Sequence, residues 1–270
     1  MSNLSFLIIT YYLDFDLLKR QLDSTAQYLK DYAAYPYVIV LNDDVKYLPE
    51  LEAILNLYPE RKFTVLHKNN YSNKYVDPLW SMEQNTSQSA IKLLASDGVF
   101  ESYNAYGWYS QQILKLVAPL EIDSEYTVIF DSKCKLSEPF DIRSIVNNNV
   151  VSMARLNVIW EGDGEIERRI WAAHNLLDAP VTNMIENTTS FGVPYPIKTK
   201  YAREIINYLE NKNINVNETI LKSESITPQT FEFFLYSAWI QKHYQSEINF
   251  TYPNLDNIFY GDKSLRRKLV

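Results

Sequence analysis

Three stretches of this 270-residue chain bring together side chains whose types can do chemistry. The first is Thr10-Tyr11-Tyr12-Leu13-Asp14, which follows an apolar run and presents a hydroxyl, two rings and a carboxylate in quick succession. Such a set offers a nucleobase or ribose donors, acceptors and a stacking face. Asp14 is also well placed to cap a following helix. The second is Asp131-Ser132-Lys133, directly after the run Tyr126–Phe130. A carboxylate at a strand end is a natural ligand for Mg²⁺ or Mn²⁺ bridging a diphosphate, although a turn favours Asp there as well.

The third is the segment Thr227–His243, with Thr227-Pro228 as a helix start signal. On a helix, Phe231, Phe234, Leu235 and Ala238 form a core face, while Glu232, Tyr236, Trp239 and His243 share another. Rings beside a carboxylate make a surface for a sugar, and a carboxylate there can accept the proton of a hydroxyl. A fourth region is glycine-bearing: Trp160–Glu165 contains Gly162 and Gly164, two of only 6 glycines, so it reads as a tight loop. Arg168 or Arg169 behind it could hold a phosphate, and His174 reads as a structural side chain. Cys134, the single cysteine, reads as a packed strand-end residue beside Lys133 and Lys135.

The elements that must carry these residues alternate. Leu4–Thr10, Tyr37–Leu41 and Lys62–His67 are short strands, the first an apolar run of strand length and the second too apolar to be half-exposed. Leu18, Leu22, Ala26 and Leu29 lie at helical spacing between the first two, as do Leu48, Leu51, Leu55 and Tyr58 between the next two. Further on, helices are expected near Ala90–Ala95 and over Gly107–Val117, and a strand over Glu125–Phe130 with Asp131 at its end. Then follow a strand over Val150–Ala154, a helix through Ile166–Leu177, a strand over Thr188–Val193, and helices over Tyr201–Leu209 and Phe231–His243. Buried strands separated by amphipathic helices predict an α/β fold with a mainly parallel sheet covered on both faces. Ligands of such sheets bind beyond the carboxyl ends of the strands. That rule selects Thr10 to Asp16, Asn42-Asp43-Asp44 and Asp131-Ser132-Lys133.

Composition removes several classes. A net charge of −7 argues against a broad grip on nucleic acid. Hydrophobic residues at 46% exclude a disordered chain. No apolar run of about eighteen residues exists to span a membrane. A basic cluster, Lys263, Arg266, Arg267 and Lys268, reads as a solvated tail or, more sharply, as a phosphate or membrane-surface contact. The start lacks the basic and apolar regions of a signal peptide, and one cysteine makes no internal disulfide, so a reducing, cytoplasmic setting is expected. There is no P-loop, no dinucleotide-type glycine fingerprint, no His-Glu-x-x-His and no Gly-x-Ser-x-Gly.

The order of apolar strand, Thr-Tyr-x-x-Asp and helix, then the run Gly107–Leu116, then Tyr-x-Val-x-x-Asp-Ser, resembles the GT-A-fold glycosyltransferases, closest to a bacterial branch of glycosyltransferase-like proteins. The similarity spans most of the chain and is carried by residues 4–16 and 107–140. It implies a single GT-A-like unit: residues 1–140 as the half that binds a nucleotide-sugar, residues 141–270 as the acceptor half. It implies transfer of a sugar from a UDP- or GDP-linked donor to a glycan or other hydroxyl acceptor, with Mn²⁺ or Mg²⁺ as the family's cation. By resemblance, Asp131 matches the first carboxylate of the family's Asp-x-Asp and its metal position; the second position holds Lys133, a cation. The implied roles are Thr10, Tyr11 and Asp14 at the base or ribose, Gln111 and Gln112 lining the donor pocket, Asp131 and Lys133 at the diphosphate, Glu232 as the base, and Tyr236 and Trp239 at the acceptor. Lys133 keeps open a rival, a nucleotide- or glycan-binding protein without catalysis. A third reading, a nucleotidyltransferase, requires a second carboxylate beside Asp131, for which Asp43 and Asp44 are the candidates.

Overall fold

The computed structural model describes residues 3–71, 74–75, 105–147, 150–153, 164–184, 186–189, 194–220, 230–250 and 259–261. Its elements are, in order, β1 (Leu4–Thr10), α1 (Phe15–Tyr28), β2 (Pro36–Leu41), α2 (Leu48–Leu55), β3 (Lys62–His67), α3 (Ala105–Val117), β4 (Tyr126–Asp131), β5 (Cys134–Leu136), β6 (Val146–Asn147), β7 (Val150–Met153), α4 (Gly164–Leu176), β8 (Tyr195–Lys198), α5 (Lys200–Asn211), α6 (Val216–Ile220), α7 (Glu232–His243), β9 (Ile248–Phe250) and β10 (Phe259–Gly261).

The central sheet has the order β3-β2-β1-β4-β8. Its first four strands are parallel; β8 runs antiparallel to β4. All of β1 is buried, which explains why its sequence shows no alternation: a central strand covered on both faces has no solvent side. Phe6, Leu7, Ile8 and Ile9 each contribute about 1.5–3 kcal/mol by leaving water. β3 alternates between exposed and half-buried positions over residues 62–65, as befits an edge, and is buried only at His67. Pro196 sits in β8, the opposite edge, where a strand tolerates a missing N–H. One hydrophobic cluster runs from Leu4 to Ile240 and joins both halves of the chain.

The fold is thus the expected α/β class with a mostly parallel, helix-flanked sheet. The differences are local. Of the strand expected over 188–193, residues 190–193 lie outside the described set, as does the helix expected at 90–95; β8, further along, is an element the sequence reading did not expect. The short Tyr-Pro-Ile-Lys run gave no periodic signal. The register puts Thr10 opposite Leu41, Leu41 opposite His67, and Ile9 opposite Asp131. The carboxyl ends of the four parallel strands therefore finish on one rim, and the side chains of interest stand there.

Candidate functional site

The turn after β4 is tied to the start of α1. The Lys133 backbone N–H donates to Asp131 Oδ1 at 3.0 Å, an Asx-type turn that ends the strand. The Ser132 hydroxyl donates to Asp14 Oδ2 at 3.1 Å, and the Lys133 Nζ lies 3.8 Å from the same oxygen. Asp14 occupies the cap position of α1, but its carboxylate makes no cap bond. It crosses to the neighbouring turn instead. At 1% exposure it is buried, and burial pushes its pKa up to about 6; Asp131 adds to the rise, while Lys133, Ser132 and Tyr11 oppose it. The Lys133 ammonium also stands over the Tyr11 ring, 5.8 Å from its centre.

A second polar cluster lies between α3 and α7, which pack against each other. Glu232 is 0% exposed, 3.3 Å from the Lys115 ammonium. The Gln112 amide, with its nitrogen turned to the carboxylate, donates to both Glu232 oxygens, at 2.9 Å to Oε1. Burial raises the Glu232 pKa; Lys115 and the residue's own backbone N–H hold it down, and Asp131 raises it. Asp131 therefore stands within electrostatic reach of both Asp14 and Glu232. Lys115 is also a cation over the Phe233 ring, and its carbonyl accepts the Tyr236 hydroxyl at 3.1 Å. Cys134 is packed as expected: burial pushes its thiol up to about 12, so it is no thiolate nucleophile.

The loops after β2 and β3 form the far side of the rim. Asp43 Oδ2 accepts the Tyr12 N–H at 3.2 Å. The Asn69 N–H donates to His67 Nδ1, which leaves the His67 Nε2–H to donate to the Asp43 carbonyl at 2.8 Å. Burial lowers the His67 pKa, consistent with a neutral ring. Tyr12 stacks on Tyr47 with ring centres 4.4 Å apart and planes 4° from parallel. Asn42 links this rim to the first turns of α3, donating to the Gly107 carbonyl and accepting from the Ser110 hydroxyl at 2.7 Å.

The structure thus brings together Thr10, Tyr11, Asp14, Asp131 and Lys133, and a neighbouring set of Gln112 and Glu232; Gln111 is half-buried on α3. It changes the orientation expected for several. Thr10 and Asp14 face inward, so Asp14 sits behind Lys133 and not against an incoming base. Tyr236 is wholly buried, and the Trp239 indole N–H donates to Glu204 Oε2 at 2.8 Å. Helical spacing groups these rings with Glu232, but α7 is buried from Glu232 to Gln241, so that face is packed interior and no open sugar platform. Arg169 stacks on Phe231 at 4.3 Å, Arg168 reaches back to the Gly164 carbonyl, and His174 Nδ1 bonds the Pro180 carbonyl, a structural role. Residues 154–163, 221–229 and 262–270 lie outside the described set, so the Trp160–Asp163 loop, the Thr227-Pro228 start signal and the basic tail do too.

β1 stands between the loop of Asp43 and Asp44 and the end of β4, and the oxygens of these two residues serve the Tyr12 N–H of the neighbouring loop, the Lys46 N–H and the Asp44 N–H. Among the described residues no three Asp, Glu, His or Cys side chains converge as a metal-binding group. Sequence reasoning gave no role to Lys115, and none of its own to Ser132 within the Asp131–Lys133 stretch. Lys115 carried a signal: it is the one charged residue in the Ala105–Val117 run.

A family model matches residues 14–264: a family of unknown function, DUF6492. The chain belongs to that family. No curated protein matches this DUF6492 chain. Among solved structures, it is similar to Core-mannan synthase A (CmsA/Ktr4) from Aspergillus fumigatus in its Mn/GDP form, with a TM-score of 0.56, 9% identity, and coverage of 96% of this chain and 74% of the other. It is likewise similar to the mannosyltransferase Ktr4p from S. cerevisiae, with a TM-score of 0.54, 10% identity, and coverage of 97% and 70%. At these identities the likeness is one of fold: the DUF6492 chain shares the fold of glycosyltransferases. No helix among its described residues is long and apolar enough to cross a membrane.

Proposed function

We propose that this DUF6492 protein is a glycosyltransferase that moves a sugar from a nucleoside-diphosphate donor to an acceptor hydroxyl. The observation that carries the reading is the meeting of Asp131, Lys133 and the buried Asp14 at the carboxyl rim of a parallel sheet. That rim is where ligands of open α/β sheets bind, and the shared fold includes a mannosyltransferase solved with GDP.

In this reading the diphosphate lies over the Asp131–Lys133 turn. Lys133 supplies positive charge, Asp131 bounds the site on the β4 side, and Tyr11 offers a ring to the base or ribose. Gln111 borders the donor from α3. Thr10 and Asp14 support the floor from below. Glu232 sets the position and charge of Lys115 beneath Asp131; to act as base on an acceptor hydroxyl it would first have to be uncovered, because α3 and α7 enclose it. The donor sugar belongs to a UDP- or GDP-linked set.

Nucleotide binding without transfer is the second reading, favoured by the cation at Lys133 where a second carboxylate would stand. One assay separates the two. The protein is incubated with UDP- and GDP-linked sugars and mixed glycoside acceptors, and free nucleoside diphosphate is followed by chromatography. Release from one donor, lost in Asp131→Asn, supports transfer. Binding of a nucleoside diphosphate without release from any donor supports the second reading.

A further inference from the structure

We infer that this site neutralises the diphosphate of its ligand with the Lys133 ammonium in place of a divalent cation. The inference rests on the donor reading above and specifies how that site handles charge.

A hard dication wants several oxygen ligands around it at short range. The turn after β4 offers one carboxylate, Asp131, and one of its oxygens already accepts the Lys133 N–H. The next carboxylate, Asp14, is buried behind the turn and faces the Lys133 ammonium and the Ser132 hydroxyl. Among the described residues no third acidic, His or Cys side chain joins them to complete a metal-binding group. The described residues therefore do not fit a resident Mg²⁺ or Mn²⁺. The charge at the second position differs by two units from an Asp-x-Asp arrangement, and an ammonium repels a dication placed beside it.

The same ammonium is suited to an anion. Its 3.8 Å separation from Asp14 Oδ2 is longer than a hydrogen bond, so its donors are not locked in place. The Lys133 side chain is 37% exposed, while its partner carboxylate is covered. It can keep Asp14 as counter-ion below and turn its N–H donors to phosphate oxygens above. Lys115 is buried against Glu232 and has no such freedom. The Tyr11 ring, 5.8 Å from the Lys133 ammonium, bounds one side of its space.

The test measures binding of UDP and GDP by calorimetry in EDTA and in excess Mn²⁺, with wild type, Lys133→Met, Lys133→Arg and Lys133→Asp. The wild type should bind one of the two with the same affinity, within about twofold, in both buffers. Lys133→Met keeps an unbranched apolar stem without the charge and should weaken binding about tenfold or more; Lys133→Arg should retain most of it. Lys133→Asp should bind only when Mn²⁺ is present. Binding by the wild type that requires Mn²⁺, or Lys133→Met binding as tightly as wild type, would overturn the inference and leave the donor reading intact. Failure to bind either nucleotide in either buffer would overturn both together.

Discussion

The Lys133 ammonium stands 3.8 Å from the buried Asp14 carboxylate, joining the turn after β4 to the first turn of α1. This contact gives the rim of the sheet its chemistry. It takes a carboxylate that could have capped a helix and makes it the counter-ion of an exposed cation. The rim is then neither a plain metal cradle nor a plain basic patch. It is a positively tipped turn resting on a covered acid.

Asp14 makes stability pH-dependent in a defined direction. Its carboxyl holds a proton up to about pH 6 in the folded protein, against 3.8 for a free carboxyl. Folding therefore takes up a proton between those values, and this residue's contribution to stability falls as pH rises through the window. Asp14→Asn removes the ionisation. Denaturant melts should show the variant gaining on wild type from pH 4 to pH 7, by up to about 3 kcal/mol, a shift already net of the Lys133 attraction. A difference that stays constant across this range would contradict the assignment.

Ser132→Ala removes the hydroxyl that donates to Asp14 and leaves a buried acid short of a partner. The expected cost is about 1–3 kcal/mol at pH 7. It should shrink at pH 4, where Asp14 is protonated. Chemical denaturation at the two pH values reads both effects.

The buried pair Lys115–Glu232 should show strong coupling. Removing one partner strands the other charge: Lys115→Met or Glu232→Leu alone should each cost about 3–5 kcal/mol. The double variant, which leaves neither charge, should be markedly more stable than the sum of the singles implies. Additive effects in the double-mutant cycle would show that the 3.3 Å contact is not an energetic unit.

Arg61 anchors the opposite end of the sheet. Its guanidinium lies about 5 Å from the ring centres of Tyr32, Tyr37 and Tyr58, and it donates to the Leu22 carbonyl. Arg61→Lys keeps the charge but loses the planar stack, and should lower stability by about 1–3 kcal/mol. Nucleotide binding, at the far rim, should be unchanged. A drop in binding without a drop in stability would argue for contact between the two ends.

The central strands were legible because burial on both faces leaves uninterrupted apolar runs: Leu4–Thr10 and Tyr37–Leu41 read as strands for that reason. β8 was not, since four residues with a proline carry neither alternation nor an apolar run. The strand-end rule found Asp14, Asp131 and Lys133 without coordinates. It could not say that Asp14 turns inward, because a cap position and a cross-strand contact look alike in one dimension. The α7 face misled for a related reason. Helical spacing correctly grouped Glu232, Tyr236 and Trp239, but spacing does not reveal that a partner helix covers that group. Lys115 shows the missing clue: a lone cation in an apolar helix signals a buried counter-charge elsewhere in the chain.

The most direct measurement is amide NMR of the labelled protein titrated with UDP and GDP. Saturable shifts with one nucleotide, concentrated at Tyr11–Asp14 and Asp131–Lys133, are the expected result. Shifts confined to other parts of the fold, or none with either nucleotide, would contradict a donor site at this rim.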